Sequence, residues 1–185
     1  MILSIYGYGQ GVLKKKTELI DADYPELEKL ITNMWETMYQ AQGVGLAAPQ
    51  IGLPIRLFII DTEQMQEEGK ELEGIKRIFI NPEKIEERGT PGPYEEGCLS
   101  IPDIRGEVVR PSILHLRYLD EEFVEHEEVF TGITARVIQH EYDHLEGILF
   151  LDYLKPIKKR LIRKKLENIK KGKIKVDYKM KFSGK

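Results

Sequence analysis

The sequence predicts an α+β fold of antiparallel or mixed β-strands with one helix that carries metal ligands. Three observations lead there. Residues 55–61, 75–81, 104–110, 112–120 and 122–130 are rich in β-branched and aromatic residues or alternate as strands do. Other stretches space their apolar residues at helical intervals instead. One of those helices carries Gln139-His140-Glu141-Tyr142-Asp143-His144, where residues four apart share a face, so two imidazoles can grip one ion beside the Glu141 carboxylate.

The 185 residues suit one catalytic domain, 1–185, with a basic helix and a terminal strand from about residue 155. No run of 18 apolar residues occurs, and the first residues show neither a basic leader nor a small-residue cleavage site. A cytoplasmic protein with no membrane and no DNA partner is the expectation. Cys98 is the single cysteine, so no disulfide forms within the chain. The net charge of -3 is unevenly spread: residues 155–185 hold 14 Lys and Arg against 2 Asp and Glu, leaving 14 against 29 in residues 1–154. Such a basic end suits an anionic partner.

In chain order, residues 1–6 read as a first strand, and Gly7, Gly9 and Gly11 as an irregular stretch needing positive φ in places. Asp23 and Glu26 look like a capping box with Pro25 in the first turn. Leu27, Leu30, Ile31, Met34, Trp35 and Met38 then form a core-facing stripe that ends near Gly43. The segment Gly43-Val44-Gly45-Leu46-Ala47-Ala48-Pro49-Gln50 superficially resembles a dinucleotide fingerprint, but a helix precedes it and Pro49 interrupts it. A bare backbone that lets an extended ligand approach, with Gln50 aimed into a site, fits better. Residues 62–74 read as a solvated polar excursion without function, and Pro82 as the end of the second strand. Residues 89–93 form a stiff turn before Tyr94, and Asp120-Glu121 a tight turn between two later strands. His115 and His126 lie in strands with no ligand partner at suitable spacing. Thr131 or Thr134 caps the histidine helix, which stops at Gly147. Pro156 opens the basic helix with Leu161, Ile162, Leu166 and Ile169 inward, and residues 173–182 alternate as an edge strand with lysines outward.

A third metal ligand decides the chemistry. A histidine at the position of Phe150 would make a metzincin, which this is not. Glu167 would give a thermolysin-like set only by leaving a solvated basic helix. Cys98 lies upstream in Glu96-Gly97-Cys98-Leu99-Ser100, a glycine-flanked segment free to bend toward the helix. A closed structural site would need a fourth protein ligand, and neither His115 nor His126 is evidently placed for it.

The three segments around Gly43–Gln50, Cys98 and His140, in that order, make the chain resemble the peptide deformylase family, from the first strand to about residue 170. The chain departs from the family's usual early turn at Gly9-Gln10-Gly11-Val12-Leu13, and its terminal strand looks peripheral. The resemblance implies a peptide deformylase-like fold, with antiparallel and mixed β-sheets wrapped around the central metal-binding helix, and one divalent ion on Cys98, His140 and His144. Fe2+ is the expected ion, and Ni2+, Co2+ or Zn2+ can occupy such a site. It implies Glu141 as proton shuttle, with the Gln50 amide and the Leu99 N–H stabilising the oxyanion. Gly43, Val44 and Gly45 would pair with the peptide backbone, Val44, Tyr94, Glu96, Ile133 and Val137 would surround a methionine side chain, and Arg105 would meet the distal end. Asp143 would support the ligands from behind. The implied substrates are N-formylmethionyl peptides and nascent chains, with ribosome contact through the basic C-terminal segment.

Overall fold

The computed structural model describes residues 1–65 and 74–184. Its strands are β1 (Ile5–Tyr6), β2 (Gly45–Ala47), β3 (Leu57–Asp61), β4 (Lys76–Arg88), β5 (Gly92–Cys98), β6 (Ile101–Arg110), β7 (Ile113–Leu119), β8 (Glu125–Thr131) and β9 (Met180–Lys181). Its helices are α1 (Leu27–Gln40), α2 (Gly132–Leu145) and α3 (Pro156–Lys170), with short 3-10 turns between elements. A five-stranded antiparallel sheet runs β2-β3-β4-β7-β8, a separate hairpin joins β5 to β6, and β1 pairs in parallel with β9.

The alternation of β3 explains why its apolar run is unbroken. Phe58 and Ile60 pack with Phe79, Leu116, Tyr118 and Phe130 against Ala135, Val137, Ile138 and Leu145 of α2. Leu57 and Ile59 face the other way, against Ile31, Met34 and Met38 of α1. A sheet covered on both faces has no polar side, so both registers of the strand are hydrophobic. A third cluster joins β6 to α3 through Ile104, Val108, Leu154, Ile162 and Ile169. The helix α2 thus sits between the sheet and the β5-β6 hairpin, and its ends are well determined. Gly147, at φ 72°, closes it with Ile148 N–H on Asp143 O at 2.9 Å and Gly147 N–H on His144 O at 3.3 Å.

Several expectations are corrected. The helix after Pro25 begins at Leu27 behind a left-handed Glu26, and Asp23 forms no cap; its own N–H turns to the Asp21 carboxylate. Pro82 does not end its strand: β4 passes through it to Arg88 by a register shift, with Asn81 at φ 49° bending the chain. The β7-β8 connection is looser than a two-residue turn and is organised by Asp120, whose carboxylate accepts the N–H of Glu122 and Val124. Thr131 occupies the N-cap of α2 without a side-chain bond, and Thr134 pairs with Thr62 at 3.0 Å. Leu161 is 75% exposed and not part of the inward stripe of α3. Only Ile5–Tyr6 of the first six residues and Met180–Lys181 of the last stretch form strands. Residues 173–180 still alternate exposed and half-buried, so the period-2 pattern survives without a ladder. Of the excursion at 62–74, residues 63–65 form a 3-10 turn and residues 66–73 lie outside the described residues.

Candidate active site

Two consecutive turns of α2 place His140 and His144 with ring centroids 5.2 Å apart. Cys98 meets them because the β5-β6 hairpin loses its register there: Gly97 pairs with Arg105, yet Cys98 pairs with Ile101. That bulge carries the thiol to 3.4 Å from His144 Nε2. One ligand atom from each of Cys98, His140 and His144 lies within 4.8 Å of the others, the one such trio among the described residues. Gln50 stands over them, its Oε1 accepting the Ala47 N–H at 2.8 Å and its amide nitrogen 3.4 Å from Cys98 Sγ and 3.3 Å from Ser100 Oγ.

Behind the imidazoles lies a buried ionic cluster. Glu96 Oε2 is 2.9 Å from His140 Nδ1, and Arg110 grips the same carboxylate through two bonds of 2.7 and 3.0 Å. Arg110 also reaches Asp143 at 2.8 Å, Tyr153 donates to Asp143 at 2.9 Å, and Arg136 adds a contact to Glu96 at 3.1 Å. Burial raises the pKa of Glu96, but the bonds from His140 and Arg110 outweigh it and hold the carboxyl at about 2. With Nδ1 of His140 engaged, Nε2 is the nitrogen left for a ligand.

The residues fit a divalent cation. Burial disfavours charge on His140, yet Cys98, Glu96 and Glu141 together draw a proton to it, so a positive charge is wanted at this point. His144 is kept neutral by burial and by His140, as a metal-ligating imidazole must be. A soft thiolate and two imidazoles suit iron, nickel, cobalt or zinc better than calcium or magnesium.

Glu141 is 4% exposed, and its Oε2 is buried without a hydrogen-bond partner among the described residues. Burial lifts its pKa to about 7, outweighing the opposing pull of His140. The glycines upstream exist for this carboxylate and for Leu99 as much as for a ligand. A β-carbon on Gly45 would lie 2.4 Å from Glu141 Oε1, and one on Gly43 would lie 2.7 Å from Leu99 Cδ1.

A groove of about 670 Å³ opens over this constellation. Every residue expected to bind substrate lines it: Gly43, Val44, Gly45, Tyr94, Glu96, Arg105, Ile133 and Val137, together with Gln50, Cys98, Leu99, His140 and Glu141. Glu96 differs from expectation in its carboxylate, which turns to His140 and the two arginines. Arg105 donates to the Glu95 carbonyl at 2.8 Å on the rim. His115 pairs with Glu127 and His126 with Asp120, away from the site. Arg110, Arg136, Tyr153 and Ser100 were not anticipated, because no local spacing marks them; the one hint was a charged Arg110 at the end of an otherwise half-buried strand.

A thiol, two imidazoles and a buried carboxylate converging at the floor of a peptide-sized groove define a metal-dependent hydrolase. The family model described as polypeptide deformylase matches residues 2–160. The chain is 56% identical to a peptide deformylase of Christiangramia forsetii, over 98% of this chain and 96% of that one. It is 53% identical to one from Flavobacterium johnsoniae, over 99% and 97% of the two chains. The crystal structure of a peptide deformylase from Legionella pneumophila superposes with a TM-score of 0.81 at 36% identity, covering 94% of this chain and 98% of that chain. The chain belongs to the polypeptide deformylase family, metal-using hydrolases that remove the N-formyl group from nascent polypeptides.

Proposed function

We propose that Cys98, His140 and His144 hold one Fe2+ ion in this chain, and that residues 1–185 act as one cytoplasmic catalytic domain on N-formylmethionyl peptides. The observation that supports it is the convergence of those three side chains with Glu141 and Gln50 under one groove. Such an ion supplies Lewis acidity and makes water a nucleophile near neutral pH. Glu141 takes the proton of the attacking water and delivers it to the departing methionyl nitrogen. The Gln50 amide and the Leu99 N–H donate to the formyl oxygen as negative charge grows on it. Bond by bond, water oxygen joins the formyl carbon, the C–N bond breaks, and formate and a free amine leave.

Gly43 to Gly45 offer the peptide backbone an added-strand partner, which leaves residues beyond the first loosely specified. Val44, Tyr94, Ile133 and Val137 enclose the methionine side chain beside Glu96, and Arg105 sits toward the distal end of the peptide. Formate release from formyl-Met-Ala-Ser by iron-loaded protein, prepared without oxygen, tests the reading. Turnover is expected; its absence with the ion bound and Glu141 intact would overturn it.

The basic helix α3 supports ribosome contact: Ile157 and Leu161 are exposed on a surface crowded with lysine and arginine. Sedimentation with ribosomes at low salt should weaken on neutralising Lys158, Arg160, Lys164 and Lys165, and unchanged binding would remove the proposal. Among the described residues no helix is long and apolar enough to cross a membrane.

A further inference from the structure

The turn Leu99-Ser100, which joins the thiol-bearing end of β5 to β6, is pinned from several directions. Ser100 O accepts the Tyr8 N–H at 2.9 Å, and Ser100 Oγ lies 3.3 Å from the Gln50 amide nitrogen. The Leu99 side chain fills the space that a β-carbon on Gly43 would claim. The last tether comes from far along the chain: the hydroxyl of Tyr178 donates to the Leu99 carbonyl at 2.7 Å. Tyr178 belongs to residues 173–179, which form no ladder; Lys175 to Tyr178 line the groove, with Asp177 O accepting from Gln40 at 3.3 Å. Tyr178 also lies beyond residues 2–160, the span that the family model matches.

A carbonyl in a two-residue turn has no ladder partner, so without the Tyr178 hydroxyl the Leu99 carbonyl loses the bond that fixes its direction, while Ser100 stays held by Tyr8 and Gln50. The Leu99 N–H lies in the preceding peptide plane, joined to that carbonyl at the Leu99 Cα, so a turn that resettles around the freed carbonyl shifts this Cα and carries the N–H with it. We infer that Tyr178 is a positioning residue for deformylation: by holding the Leu99 carbonyl it aims the Leu99 N–H at the formyl oxygen. This rests on the role assigned above to the Leu99 N–H. A donor that acts on charge appearing only in the transition state affects kcat and leaves KM alone.

Tyr178→Phe keeps the ring and removes the hydroxyl. With ion content matched to the parent, kcat should fall on the order of 10-fold at unchanged KM, equally for formyl-Met-Ala and formyl-Met-Ala-Ser. Amide hydrogen exchange in the 98–101 segment should speed up, with exchange across the rest of β6 unchanged, and this is measured without turnover. An unchanged kcat, a rise in KM alone, or a loss confined to the longer peptide would overturn the inference. Failure of the parent protein to release formate would instead overturn the function itself.

Discussion

At residue 45 a single hydrogen atom decides where the Glu141 carboxylate can stand. A β-carbon there would lie 2.4 Å from Glu141 Oε1, so Gly45→Ala must displace the carboxylate. We expect kcat to fall on the order of 100-fold with bound metal unchanged, measured by formate release and elemental analysis on one preparation. The same two measurements separate base from ligand. Glu141→Ala should keep the ion and lose roughly 100-fold or more in kcat, whereas Cys98→Ala should lose the ion. Unchanged occupancy in the cysteine variant would refute the ligand set. His140, Glu141 and His144 were legible in the sequence because a helix converts a spacing of four into a shared face. Cys98 was legible only beside its flanking motif. Its approach to His144, 46 residues away, depends on a bulge that no local rule encodes. Arg110 left only the hint of a charge at a strand end and Tyr178 left none, since each acts through a partner brought near only by the completed fold.

Among the elements, β3, α1 and α2 were readable because burial imposes a period on their sequences. Strand ends were less so: Pro82 looked like a terminator, but a bulge needs no N–H there and the strand continues. The exposed Leu161 fits a helical stripe by spacing alone, and only the path of the neighbouring chain shows that nothing covers it. Burial gives opposite expectations for Arg110, 4% exposed, and Leu161, 75% exposed. Arg110→Met should destabilise the protein by about 3–5 kcal/mol, because Asp143 would keep a buried charge without its cation and Glu96 would lose its two-bond partner. Leu161→Ala should change stability by less than about 0.5 kcal/mol. Urea titrations of both variants check the contrast, and equal effects would contradict the burial pattern.

Over the whole molecule, the ion pair of Arg56 with Glu146 at 2.7 Å ties the start of β3 to the end of α2. Burial raises the pKa of Glu146, but the bond and charge of Arg56 outweigh it and bring it below the ordinary 4.5. A depressed carboxyl contributes stability above its unfolded value and loses that contribution as pH falls through its folded value. Thermal melts of parent and Glu146→Gln should therefore differ most at neutral pH, by about 1.5 kcal/mol, and converge below about pH 4.5. A gap that widens in acid would mean the pair has the wrong sign. The parallel pairing of Ile5 with Met180 has another consequence, which belongs to biosynthesis. A chain made from one end waits with β1 unpaired until residue 180 has emerged, after α2 and every other strand are available. The Tyr178 tether to Leu99 forms at about the same moment. A protein of a family that works on growing chains thus gains the tether behind its own Cys98 turn only after residues 1–177 have been made.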